Sequence, residues 1–120
     1  MTWQDYEQQK IERFQSRTKM AAGKAKEYAK EDDRLANFKE AATALGVHPL
    51  TVAMVYWYKH VSAVATFCRK VSGGEVPELS EPIGGRIEDC QEYLDIIAAL
   101  IIEETDTNEE LLNCFIKGGL

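Results

Sequence analysis

This 120-residue chain is poor in several things, and each scarcity narrows what it can do. It has three cysteines, Cys68, Cys90 and Cys114, an odd number set far apart in apolar-patterned segments. That pattern gives no disulfide framework and none of the paired spacing of a zinc site. Free thiols acting as small core residues in a reducing, cytoplasmic setting are expected instead. Two histidines and no Gly-x-Ser-x-Gly elbow leave little for a nucleophilic triad. No apolar run approaches the roughly 18 residues of a membrane-spanning helix, and no basic-plus-apolar leader opens the chain. Basic charge is also short. The net charge of −6 disfavours nonspecific attachment to nucleic acid or anionic lipid. Gly73-Gly74 and Gly84-Gly85 read as turn glycines, since neither pair lies between a strand and a helix as a phosphate-cradling loop would.

What remains is ordinary for a globular chain, 45% hydrophobic and 28% charged, and the length suits one domain with a core of its own. No β-type alternation of useful length occurs. The expected fold is all-α, a bundle of about five helices around a central apolar one.

The chain opens with a long helical pattern over residues 1–30. Glu7, Phe14, Ala21 and Tyr28 recur every seven residues, with Ile11, Thr18 and Ala25 alongside. Such a narrow, partly polar seam suits packing against a neighbour or a second subunit, so a homo-oligomer is expected. Trp3 and Tyr6 would anchor that contact. Glu31, Asp32 and Asp33 offer caps for a second helix with Leu35, Phe38, Ala42 and Leu45 as its buried stripe, and Gly46 ends it. Pro49 opens a third helix that runs to about Val71 and is apolar almost all round. His60 stands among its apolar positions, either as a core histidine with one hydrogen-bond partner or as part of a site shared with the acidic helix that follows. The loop 72–85 is long for a helical domain and carries Glu75, Glu78 and Glu81. A final helix would start from Thr107 or Asn108, with Glu110 completing a capping box from Thr107.

The most distinctive stretch is Leu79 to Glu104. Ile87, Cys90, Leu94, Ile97, Ala98 and Ile101 make one broad apolar face. Glu88, Glu92, Asp95, Ala99 and Glu103 run along another, with Asp89 at its border. The unbroken apolar run Ile96 to Ile102 implies a helix buried on most sides. Like charges three or four apart disfavour a helix by about 0.2–0.5 kcal/mol per pair. The stripe therefore needs water, cationic partners or a metal. It is either a solvated face or a site. As a site, Glu88, Glu92 and Asp95 would be oxygen ligands for Mg²⁺. Such an ion could neutralise a nucleoside polyphosphate and activate a water.

Two resemblances follow from particular residues. Lys24, Glu27 and Tyr28, then Asn37 and Phe38, then Lys59 and His60, then Asp89 and Tyr93 resemble the pattern of small helical phage and bacterial domains called nucleotide-modification-associated. Ala29 stands where that family usually has Gly. The resemblance extends remotely to MazG-like all-α NTP pyrophosphohydrolases, whose Glu-x-x-Glu and Glu-x-x-Asp helices surround Mg²⁺. Glu78, Glu81, Glu92 and Asp95 would be the counterparts, although Pro82 and the glycines put the first pair in a loop. The resemblance implies a nucleotide-binding or nucleotide-processing protein. Tyr28, Asn37, Lys59, Asp89 and Tyr93 would bind nucleotide, and Glu92, Asp95 and His60 would be catalytic. The second resemblance is local. Ala42, Gly46 and Val52 have helix-turn-helix spacing. Its reading positions would be His48, Pro49, Leu50, Ala53, Met54 and Trp57, which offer almost nothing to bases or phosphates. DNA binding is therefore disfavoured. A non-catalytic protein that binds or inhibits a host component stays open as the alternative.

Overall fold

The computed structural model describes the backbone of residues 1–28 and 33–117 and the side chains of 1–20 and 33–116. Among them lie five α-helices: α1 (Trp3–Tyr28), α2 (Ala36–Leu45), α3 (Pro49–Ser72), α4 (Ile83–Thr105) and α5 (Glu109–Lys117). The fold is an all-α bundle. No helix of the described residues is long and apolar enough to cross a membrane. The chain divides into two compact units, Met1–Asn37 and Phe38–Leu120.

The first unit is dominated by α1. Its start is a reciprocal cap: the Asp5 amide donates to Thr2 Oγ1 at 3.0 Å and the Thr2 amide to Asp5 Oδ2 at 3.4 Å. Of the described α1 side chains only Gln9, Arg13 and Arg17 are even half-buried. Of the expected caps for α2, Glu31 and Asp32 lie outside the described residues. Asp33 forms a turn just ahead of the helix, its Oδ1 accepting from the Leu35 amide at 2.9 Å and its carbonyl from the Ala36 amide at 3.2 Å.

In the second unit α3 is the central helix and packs most extensively on α4, while α5 packs on α4. Helix α2 ends where Gly46 adopts φ +70°, with the Val47 amide donating to Ala42 O and the Gly46 amide to Thr43 O. Helix α3 closes in the same way, with Gly74 at φ +86° and amides of Gly74 and Glu75 donating to Val71 O and Lys70 O. Both are left-handed caps that satisfy the last carbonyls of a helix, and both need glycine. At the start of α3, Pro49 occupies the first turn and His48 is the cap. His48 Nδ1 accepts from the Leu50 amide at 3.0 Å while Nε2 lies 2.7 Å from Glu104 Oε1. Those two partners fix the tautomer: Nδ1 accepts, so the proton sits on Nε2 and points at the carboxylate. Lys39 Nζ reaches Glu103 Oε2 at 2.8 Å, a second tie onto the end of α4.

Several expectations are corrected. Gly84 and Gly85 belong to the first turn of α4, not to the loop before it. Asn108, not Thr107, caps α5: its Oδ1 accepts from the Leu111 amide at 3.1 Å, and the Thr107 hydroxyl donates to the Glu104 carbonyl instead. Leu45 is 71% exposed because it is the last residue before the Gly46 turn, so the buried stripe of α2 stops at Ala42. Helix α3 is not buried all round. Val52 and Ala53 are buried, while Met54, Val55, Tyr56 and Tyr58 are exposed. Helix α4 is likewise not buried on most sides: Glu88, Ile96 and Leu100 are buried, Leu94 is exposed, and the rest of its expected apolar face is half-buried. Ile96 and Leu100 share an edge with half-buried Asp89 and Tyr93, about 120° round from the face with most isoleucines. That edge carries Tyr93, whose ring meets Tyr56 and His60 of α3.

Candidate functional site

Tyr56 and His60 lie four residues apart on α3, and Asp89 and Tyr93 lie four apart on α4. Four residues is about one helical turn, so each pair lines one face. The helices run antiparallel, and the two pairs meet: Tyr56 beside Tyr93, His60 beside Asp89. The Tyr56 and Tyr93 rings stack at 5.8 Å with an 8° interplanar angle. The His60 ring stacks on Tyr93 at 5.3 Å and 18°. Phe38, from α2, meets both tyrosines edge-on, at 6.3 Å from Tyr56 and 6.2 Å from Tyr93. Stacked and edge-on contacts of this kind each contribute about 0.5–1.5 kcal/mol beyond the buried area. Tyr93 is thus the centre of a four-ring cluster.

His60 Nδ1 lies 3.7 Å from Asp89 Oδ2, with side-chain exposures of 15% and 31%. That distance is long for a hydrogen bond, and the two form an ion pair only when the imidazole is protonated. An imidazole stacked on a phenol ring with a carboxylate at its edge is a proton-accepting group with a neighbour that stabilises its charged form. Arg86 shares the Asp89–Tyr93 face of α4 and is partly buried, its guanidinium 3.9 Å from Glu81. At Cys90, burial first and the Asp89 carboxylate second push the thiol above its ordinary range, so it stays a neutral thiol and not a nucleophile.

The residues singled out from the sequence divide. His60, Asp89 and Tyr93 come together. Lys59 and Asn37 are exposed, and the side chain of Tyr28 lies outside the described residues. Glu88, Glu92 and Asp95 sit roughly a third of a turn round α4 from Asp89 and Tyr93, and they climb from buried Glu88 through half-buried Glu92 to exposed Asp95. Glu78 and Glu81 are exposed in the loop before α4. Among the described residues no three His, Cys, Asp or Glu side chains gather as a group able to hold a metal ion. The donor set that the resemblance implies for Mg²⁺ is therefore not assembled, and the chemistry of the site rests on its rings and the His60–Asp89 pair. Tyr56 was legible only as an apolar position of α3. The signal that places it is the matching four-residue spacing of Tyr56–His60 and Asp89–Tyr93, which antiparallel packing brings side by side. The helix-turn-helix-like corner is present, with Ala42 and Val52 buried around Gly46, but Ala53 is wholly buried and could not reach a base.

No protein-family model, no characterised protein and no solved structure matches this chain.

Proposed function

We propose that this protein binds a nucleotide on the ring cluster of the α3–α4 face, with the base stacked on the exposed Tyr56 end of the Tyr56–Tyr93–His60 stack. The observation that carries the reading is the Tyr56–Tyr93–His60 stack. It is a run of near-parallel rings, still 46% exposed at Tyr56, with a carboxylate at its far end. Any base has a π-face, and stacking on an aromatic side chain is worth about 1–3 kcal/mol per base. Arg86, on the Asp89–Tyr93 face of α4, would meet phosphate charge. If the nucleotide is processed, His60 is the proton acceptor for an attacking water, and Asp89 stabilises the imidazolium that results.

Thermal unfolding against nucleosides and nucleoside mono-, di- and triphosphates, with and without Mg²⁺, tests this. A ligand at about 100 times its Kd adds about 2.7 kcal/mol, enough to raise the midpoint by several degrees in a domain of this size. The expected result is a rise for one nucleotide class that is lost in Tyr93→Leu and reduced in His60→Ala, each compared with its own unliganded midpoint. A flat panel, or a rise that both variants keep, would overturn the reading. The non-catalytic, protein-binding alternative is favoured by one observation: Met54, Val55 and Tyr58 stand exposed together on α3. It predicts a flat panel and a co-purifying partner lost on Val55→Asp.

A further inference from the structure

Helix α3 contains no aspartate or glutamate, although the unit it belongs to, Phe38–Leu120, holds thirteen of them against six lysines and arginines. Three of those six cations, Lys59, Arg69 and Lys70, stand exposed on α3. Among the described residues none of the three forms an ion pair, whereas Lys39 and Arg86 lie against Glu103 and Glu81. At 100° per residue, Val55, Tyr58, Ser62, Thr66 and Arg69 fall along one line of α3, with Lys59 and Lys70 on its flank, and every one of them is exposed. Val55 is 65% exposed and Tyr58 66%. The Thr66 hydroxyl donates to the Ser62 carbonyl at 3.0 Å and accepts from Arg69 Nη2 at 3.1 Å, which holds the guanidinium along this face with donors to spare.

Arg69 and Lys70 suit the C-terminal turn of a helix, but Lys59 lies in mid-helix, and Val55 and Tyr58 gain nothing from the helix dipole. We infer that this face of α3 docks an acidic, amphipathic helix of a partner protein. Its apolar side chains would rest on Val55 and Tyr58, and its carboxylates would meet Lys59, Arg69 and Lys70, with Arg69 able to take a carboxylate through two N–H groups. The surrounding charge decides between occupants. Lys59 to Lys70 spans about 17 Å of helix. A longer polyanion, a nucleic acid or an anionic membrane, would run on over a unit with twice as many carboxylates as cations. A peptide segment can end its acidic run where the patch ends. It can also bring apolar groups to Val55 and Tyr58, which a phosphate backbone cannot. Tyr56 and His60 project over 100° round α3 from this line, so the face is separate from the ring cluster and does not depend on nucleotide binding there.

Fluorescence anisotropy with the full chain is the test. The probe is a labelled helical peptide of about 20 residues, enough to run from Thr51 to Lys70. It carries leucines spaced to meet Val55 and Tyr58 and glutamates spaced to meet Lys59, Arg69 and Lys70. The expected result is saturable binding that weakens about tenfold or more when glutamine replaces the glutamates, and that weakens with added salt because the attraction is screened. Reversing the patch (Lys59→Glu, Arg69→Glu, Lys70→Glu) has the same effect, and Val55→Asp weakens binding too. A chain that binds neither peptide, or both equally well, overturns the inference. So does tighter binding of a single-stranded oligonucleotide of similar length or of phosphatidylserine vesicles, which would assign the face to a polyanion. The comparison of the two peptides needs no variant and decides the question even if a charge-reversed helix fails to form.

Discussion

Helix α1 and the α3–α4 pair are made of similar material and use it differently. Both are long helices with aromatic residues at helical spacing. Along α3 and α4 the rings and aliphatic groups find partners within the unit: Ala53 is wholly buried, Leu100 is 3% exposed, and four rings converge on Tyr93. Along α1 the large apolar residues that are described stand in solvent. A helix gains most of its stability from packing its apolar side and little from its own propensity. Stability should therefore concentrate in the second unit.

The sharpest way to break that comparison is to truncate one residue in each region. Leu100→Ala should cost about 2–5 kcal/mol, as buried large-to-small changes do. Ile11→Ala, measured by urea unfolding, should stay within about 0.5 kcal/mol, since Ile11 is exposed. Equal losses would mean that α1 is as well packed as α4.

Within the second unit the ring cluster offers the next largest effect. Tyr93→Leu removes the ring that Tyr56, His60 and Phe38 all touch and should cost about 2–3 kcal/mol, while Tyr93→Phe, which keeps the stack, should cost about 1 kcal/mol or less.

Smaller effects separate the glycines. Gly46 and Gly74 hold φ +70° and +86°, so alanine there should destabilise by about 1 kcal/mol. Gly84 and Gly85 are helical with nothing within 4 Å of an added Cβ, so alanine there should stabilise by about 0.5–1 kcal/mol each in thermal unfolding.

The smallest expected effects concern two groups of the second unit. The buried Trp57 Nε1–H has no acceptor among the described residues. Trp57→Phe trades lost area against the relief of an unsatisfied donor and should change stability by less than about 1 kcal/mol. Cys90 should be alkylated more slowly than exposed Cys68 and Cys114. Its reaction should begin at higher pH than theirs, because its thiol is held above the ordinary range. The sign for folding follows: a raised native value means that stability from the neutral thiol is present below the ordinary thiol range and is lost as pH climbs through the native one.

Helix number and punctuation were legible because they rest on local chemistry. Pro49 opens α3, Gly46 closes α2 in the left-handed conformation, and the apolar periods are long enough to count. The orientation of α4 was not legible. Its aliphatic residues cluster on one side, yet buried Ile96 and Leu100 share another edge with Asp89 and Tyr93, since a partner helix selects by fit across the interface, which a single helix cannot display. The same limit governed the site. His60, Asp89 and Tyr93 stood out singly, but their meeting depends on the antiparallel register of α3 and α4. The acidic stripe was visible as a pattern, whereas the climb from buried Glu88 to exposed Asp95 depends on where α4 rests in the bundle.

The most direct test of the central claim is nuclear magnetic resonance of the aromatic rings during titration with the nucleotide that gives the largest thermal shift, or with a nucleoside triphosphate if none does. A base on the open end of the stack adds its ring current most strongly to Tyr56 and less to Tyr93 and His60. The account predicts that these three ring signals move together and saturate while those of Trp3 and Tyr6 on α1 stay still. Unmoved signals throughout, or movement confined to Trp3 and Tyr6, would contradict it.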